Sequence, residues 1–420
     1  MTGADAMPVT PAVEHLRRLG AQQVLGALVR RFGHFEFAED AVQEALLAAS
    51  QAWPAQGVPQ DPRSWLIRIG YRRMVDLLRS DQARRQREQR TGLAEAVMRV
   101  PGRQPQPVPG TDDSLTLLLL CCHPALSTAS QVALTLRAVG GLTTAEIAHA
   151  FGTSESTMGT RISRAKAQLA KAGARFTAPT DTDRSSRIAA VMQVLYLIFN
   201  EGYTASAGRQ LGRVDLTGEA IRLARMLRDL LPDDAEATGL LALMLLTEAR
   251  RPARTTSQDE LVPLDDQDRT QWNVELIREG TELIDGVWGR RQVGPYQLQA
   301  AVAAVHACAL SPEQTDWPQI AALYLWLERL NPTGPVRLSR VVAVAKAYGP
   351  ARGLALLDEV NRRHRLDQEP LTRQRERAVR AHLVQLTGDA AGAATLYREA
   401  AELTNNQVER RYLRSRADAL

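Results

Sequence analysis

Cysteine is scarce in this chain of 420 residues: three occur, at positions 121, 122 and 308. Three cannot build a disulfide framework, and they suit a reducing compartment, so a cytoplasmic protein is expected. Long apolar runs are also missing. The longest stretches, Leu115–Cys122, Ile188–Phe199 and Leu298–Leu310, are too short to span a bilayer and read as buried helices. The opening Met-Thr-Gly-Ala-Asp-Ala-Met-Pro has no basic segment followed by an apolar one, so no signal peptide is expected. No phosphate-binding glycine loop, zinc-protease helix motif or nucleophile elbow occurs. The chain is therefore expected to catalyse nothing and to need no cofactor. Cys121-Cys-His-Pro124 invites a metal, but zinc wants a second ligand pair and none is spaced for it. A buried thiol pair beside a proline turn is the expectation there, and His306 with Cys308 reads as a core helix feature; no metal site is expected.

Strand-like alternation is scarce as well, and helical periodicity runs almost throughout, which predicts an all-α fold. Residues 12–90 form one helical block. A linker follows at 91–112, where 101–112 alone carries four prolines and two glycines. Residues 113–176 form a second block, and after the polar stretch Thr177–Ser186 a third runs over 187–420. Charge is unevenly shared. Residues 1–176 hold 21 Lys and Arg against 15 Asp and Glu, whereas the remainder holds 31 against 32. The basic excess sits in the first part, as a nucleic-acid-binding module requires.

The third block contains a weak repeat. Ala220, Ala224, Leu227 and Pro232 share their spacing with Ile320, Tyr324, Leu327 and Pro332, and with Ala393, Tyr397, Ala400 and Asn405. Small or apolar residues on one helix face, then Pro or Asn to stop it, mark the second helix of a tetratricopeptide-type unit. The units are unevenly placed, so an irregular helical-pair array is predicted, with a long loop at Arg251–Thr270. Asn200-Glu-Gly-Tyr203 ends an apolar helix and reads as a C-cap with Gly202 in the left-handed region.

Three segments carry chemistry. Residues 143–166 read as a helix-turn-helix. Ile147, Ala148 and Phe151 face inward on its first helix, and Gly152 supplies the turn. Ser154 caps the second helix, which buries Met158, Ile162 and Ala165. Its other face shows Glu155, Ser156, Thr157, Thr160, Arg161, Arg164 and Lys166: short polar groups that reach base edges, then cations suited to phosphates. Upstream, residues 36–53 form an amphipathic helix with Ala38, Val42, Ala45, Leu46 and Ala49 as its apolar stripe. Glu39, Asp40, Gln43 and Glu44 are expected on the opposite, solvated face. Between 61 and 90 there are nine arginines and four acids, with Leu66, Ile69, Met74, Leu77 and Leu78 inward.

An acidic helix, a basic helix, a proline-rich linker and a helix-turn-helix, in that order, resemble a bacterial RNA polymerase sigma factor of the extracytoplasmic-function (ECF) group. Ala38-Glu-Asp-Ala-Val-Gln-Glu44 resembles the region 2.2 pattern. Pro62-Arg-Ser-Trp-Leu66 and Arg72-Arg-Met-Val-Asp-Leu-Leu-Arg79 resemble regions 2.3–2.4. Gly141-Leu-Thr-Thr-Ala-Glu-Ile-Ala148 through Arg161-Ile-Ser-Arg-Ala-Lys166 resembles region 4.2. Residues 187–420, with Tyr196-Leu-Ile-Phe-Asn-Glu-Gly-Tyr203, look like the tetratricopeptide-like extension of one ECF subgroup, in which it is thought to act as a built-in regulator.

The resemblance implies partners and sites. Glu39, Asp40, Gln43 and Glu44 would dock on the polymerase β′ subunit, within a core that also contains β. Residues 54–64 would shape the loop that captures a flipped −10 base. Trp65, Arg68, Arg72, Arg73, Asp76 and Arg79 would hold the −10 strand. Ser154, Glu155, Ser156, Thr157, Thr160, Arg161, Arg164 and Lys166 would read −35. Position 159 departs from the pattern: glycine stands where family members often carry a basic or polar residue, which weakens the helix by ~1 kcal/mol and either allows close backbone approach or removes one contact, leaving the −35 contact at that position open. The extension is expected to contact regions 2 or 4, and no membrane partner is expected. The competing reading is an ordinary helix-turn-helix regulator or adaptor whose helical array binds a peptide.

Overall fold

A computed structural model describes residues 24–89, 113–151, 153–173, 181–289, 293–370 and 372–420. The linker 91–112, Arg90 and the turn residue Gly152 lie outside these residues. The described residues are helical, apart from turns and one pair of two-residue strands, as an all-α reading requires. Two compact units emerge, one of residues 1–149 with 153–194, the other of 195–420 with 150–152. No helix among the described residues is long and apolar enough to cross a membrane.

The first unit begins with α1 (24–32), α2 (Phe35–Gln56) and α3 (Pro62–Gln89). Val24, Leu25 and Leu28 of α1 are buried, with Ala38, Ala41, Val42, Ala45 and Ala49 of α2. The alanine-rich stripe lets helices approach closely, and Gly70 on α3 does the same: a Cβ there would stand 2.9 Å from Leu28 Cδ1. Leu66 and Met74 of α3 are fully covered, and Trp53 meets Trp65 edge-on at 5.7 Å. Next, α4 (Ser114–Cys121) is mostly apolar and correspondingly buried, with Leu115 and Thr116 half-buried. Three helices follow: α5 (Thr128–Ala138), α6 (Thr144–Ala150) and α7 (Glu155–Lys171). The α6 start is a reciprocal capping box. Thr143 N–H donates to Glu146 Oε2 at 2.7 Å, and Glu146 N–H to Thr143 Oγ1 at 3.1 Å. Ser154 caps α7 by accepting from Thr157 N–H at 3.2 Å, and Met158, Ile162, Ala165 and Leu169 are buried beneath it.

The long helix α8 (Asp181–Tyr203) leads into the second unit. There α9 (Val214–Leu230), α10 (Ala235–Glu248), α11 (Val274–Trp288), α12 (Pro295–Cys308), α13 (Trp317–Leu330) and α14 (Gly334–Tyr348) are followed by α15 (Pro350–His364), α16 (Arg373–Leu386), α17 (Ala390–Leu403) and α18 (Gln407–Asp418). Sequence neighbours pack in pairs, so the unit is a TPR-like helical array. The repeated positions fall on α9, α13 and α17. Ala220, Ala224, Leu227, Ile320, Leu327, Ala393, Tyr397 and Ala400 are buried there, and Tyr324 packs partly buried beside Ile320 and Leu327. Residues 251–270 form a loop with three single 3-10 turns and one bridge between Thr255 and Leu261.

Two features of this unit depart from expectation. Gly202 is not a left-handed cap. It lies in the last turn of α8 without positive φ, and a Cβ there would stand 2.6 Å from the Thr217 backbone nitrogen, so close helix approach is what glycine allows. The unit's ends are also tied together. Residues 207–208 pair in parallel with 405–406. Buried Asn406 donates through Nδ2 to Ala205 O at 2.9 Å and Gln210 O at 3.1 Å, while its Oδ1 caps α18 by accepting from Val408 and Glu409 N–H.

Candidate nucleic-acid and polymerase interface

On α3 the cations sort into two classes. Arg68, Arg72, Asp76 and Arg79 are exposed at spacings of four, four and three, so they form one solvent stripe. Among the described residues none of them makes an ion pair, which leaves three guanidinium groups free for phosphates. Arg73 is different: it pairs with Glu44 of α2 at 2.7 Å. Trp65 is half-buried against Trp53. The loop before α3 ends on Asp61, whose carboxylate accepts from Ser64 N–H at 3.0 Å. The Ser64 hydroxyl and amide hold that carboxyl below its ordinary pKa.

On α7, Glu155, Ser156, Thr157, Thr160 and Arg164 are exposed and Arg161 is half-buried. The start of the helix is preorganised: Ser154 and Thr157 hydroxyls are hydrogen-bonded at 2.8 Å, and Thr160 Oγ1 donates to Ser156 O at 2.9 Å. Gly159 faces open space apart from Thr144 Cγ2, 3.8 Å from a built Cβ, so a larger residue would fit.

Glu39 overturns the expected surface. It is 5% exposed, on the buried side of α2, whereas Asp40 and Glu44 are exposed and Gln43 is half-buried. The stripe drawn from the sequence placed Glu39 with the solvated acids; in fact it points toward the helix-turn-helix block. Arg137 Nε on α5 donates to Glu39 Oε1 at 2.6 Å, and Lys166 of α7 pairs with Glu39 Oε2. Lys166, expected on a phosphate, is thus held in a buried ion pair at 12% exposure. A second tie joins Arg30 of α1 to buried Asp113 at 3.1 Å, and Gly26 makes room for that aspartate. Arg137 was not identified from the sequence. The available signal was an arginine inside the run Val132–Val139, which is apolar but for Thr135 and Arg137.

Cys121 and Cys122 are buried thiols. Burial raises Cys121 well above its usual pKa and pushes Cys122 up to about 12, which keeps both unreactive. His123 Nδ1 accepts from Ala125 N–H at 3.1 Å. Among the described residues no three His, Cys, Asp or Glu side chains converge as a metal site.

Residues 16–85 match the model for sigma-70 region 2, and residues 116–169 that for sigma-70 region 4. Residues 187–287 match a family of unknown function, DUF6596. A relative from Rhizobium meliloti (strain 1021), described as uncharacterized protein R00370, is 41% identical over 409 residues, covering 95% of this chain and 93% of its own. The crystal structure of TTC0263, a thermophilic TPR protein in Thermus thermophilus, overlaps 55% of this chain and 100% of that one, with a TM-score of 0.36 and 18% identity. Matched to the Rhizobium protein along nearly its whole length, the chain belongs to the same family as that protein, and it carries sigma-70 regions 2 and 4 in order, followed by a TPR-like helical array.

Proposed function

We propose that this protein is an ECF-type sigma factor that binds core RNA polymerase, directs it to −35 and −10 promoter elements and helps melt the start site, with a fused regulatory extension. The observation that carries this reading is the unpaired arginine stripe Arg68, Arg72 and Arg79 in the sigma-70 region 2 domain, upstream of an exposed helix-turn-helix face in region 4. Free cations on one helix face supply sequence-independent attraction to a strand. The short polar residues at the start of α7 sit where such helices contact base edges. Asp40, Gln43 and Glu44 form the acidic face for β′, with Glu39 joining it once the contact with Lys166 and Arg137 opens. The working division is region 2 at 12–90, linker at 91–112, region 4 at 113–176 and the regulatory array at 187–420.

The test is a genome-wide run-off transcription assay with purified protein and core polymerase. Specific transcripts are the expected result; none from any promoter would end the proposal. Reversing charge at Asp40 and Glu44 separates this reading from an ordinary operator-binding regulator, because only a sigma factor loses polymerase binding. Truncation near residue 180 tests the regulatory role, since unchanged promoter output would remove it.

A further inference from the structure

The second unit contains a cavity of about 410 Å³ at the joint between its two ends. Its walls come from three separated segments: 210–215, 251–259 and Val408. Asn406, two residues before Val408, hydrogen-bonds to Ala205 O and Gln210 O, so the cavity is framed by the same staple that closes the unit. Its size falls within the range of small-molecule sites.

Three arginines line it, and they are not equivalent. Arg213 has Asp215 at 3.6 Å. Arg251 Nη2 donates to Glu248 Oε2 at 2.8 Å. Arg254 has no carboxylate partner among the described residues. Its guanidinium lies 3.6 Å above the Tyr203 ring, and it donates to Tyr203 O and, at 3.0 Å, to Thr204 Oγ1. A guanidinium carries five donors, so most of its capacity is unspent. Burial, against the opposing pull of Tyr203 and Glu248 and with repulsion from Arg250 and Arg251, draws its pKa below the ordinary value; a largely desolvated cation favours an anionic partner. Leu211, Val214 and Val408 supply the apolar part of its lining, Val214 the most exposed of the three. Asp259 on its wall closes a turn in the left-handed region, its amide donating to Thr256 O at 3.1 Å, a conformation that aspartate adopts readily.

The geometry points to a binding site for a small organic anion, a carboxylate or phosphate monoester on a compact apolar body, with Arg254 gripping the oxyanion and Leu211, Val214 and Val408 lining the rest. Because the cavity spans the joint, its occupant holds the ends of the array together. This site stands independently of the promoter reading.

Calorimetric titration of the full chain with benzoate, phenyl phosphate and neutral benzamide tests it. At least one anion binds saturably and raises the melting temperature, and benzamide does neither; which anion binds separates the carboxylate from the phosphate source. Arg254→Gln weakens that binding by about tenfold or more, the loss of a charge-assisted pair. Thr255→Trp fills the cavity without removing a charge and weakens it likewise. Arg278→Gln, on the exposed face of α11, leaves it unchanged. Should Arg254→Gln fail to fold, Thr255→Trp decides alone. If neither anion saturates, or if every folded cavity variant binds within about twofold of the parent, the site is not there.

Discussion

Lys166 of α7 and Glu39 of α2 form an ion pair that is almost closed to solvent, at 12% and 5% exposure. The cation lies on the helix proposed for −35, and the carboxylate on α2, which packs against α3, the helix proposed for −10. B-DNA rises about 3.4 Å per base, so elements roughly 25 base pairs apart lie about 85 Å apart along the duplex. With α7 in ion-pair contact with α2, α7 and α3 cannot occupy both elements at once. Under the sigma-factor reading, promoter engagement therefore breaks this contact. Fully extended, the 22-residue stretch 91–112 would reach about 75 Å.

Glu39→Gln is expected to destabilise the first unit by about 3 kcal/mol, because it leaves Arg137 and Lys166 sequestered without their counter-charge. Urea denaturation measures it. The same variant frees Lys166. Salt titration of −35 duplex binding then separates the two roles. Lys166→Gln alone leaves the slope unchanged while the pair is closed, but lowers it by about one in the Glu39→Gln background.

Arg68→Gln, Arg72→Gln and Arg79→Gln should each reduce the salt slope for −10 single-strand binding by about 0.7, the value for one phosphate contact. Arg73→Gln should change it less, because Arg73 already pairs with Glu44. Equal effects from all four, read by fluorescence anisotropy, would argue against the two classes on α3.

Ser154→Ala removes the acceptor of the Thr157 amide and should cost about 1 kcal/mol. Thermal denaturation reads the loss. Ser154→Asp, which still caps, should recover stability yet weaken duplex binding by placing a carboxylate among the −35 contacts.

Asn406→Ala deletes both the staple to Ala205 and Gln210 and the α18 cap. The expected cost is about 3 kcal/mol, because acceptors in the joint lose their partner. Hydrogen exchange should show protection falling at Ala205, whose amide donates to Leu211 O, with α10 unchanged.

His306 is buried edge-on to Trp317 at 5.1 Å. Burial, then Arg250 and Arg269, lower its pKa from 6.5 to about 4. The unfolded chain therefore binds this proton at higher pH than the folded chain does. The contribution is fully present above pH 6.5 and is lost as pH falls toward 4, reaching of order 3 kcal/mol. Denaturation midpoints between pH 4 and 7 should slope upward with pH, and His306→Gln should flatten that slope.

The helix-turn-helix was legible because its signals are local. A capping residue, an apolar period of 3.6 and a charged outer face each follow from neighbours within a turn or two. Ser154, Met158, Ile162 and Ala165 sit as that reading requires. The buried stripes of α9, α13 and α17 were legible for the same reason. Glu39 was not: the rule that places an acid on the wet face has no access to Arg137, 98 residues away. Gly202 was misread because a glycine near a helix end serves a turn and a close contact equally well, and only the packed Thr217 distinguishes them.

The amino-acid sequence alone determined the helical class, the order of the modules and the basic character of the first part, because composition and periodicity act over short spans. Tertiary structure decided which charges are available. It buried Glu39 against Lys166, left Arg68, Arg72 and Arg79 open, stranded Arg254 beside a cavity and closed the second unit through Asn406. Those outcomes depend on which side chains meet across tens to hundreds of residues, where burial strips away water and a single partner sets whether a charge is spent or free.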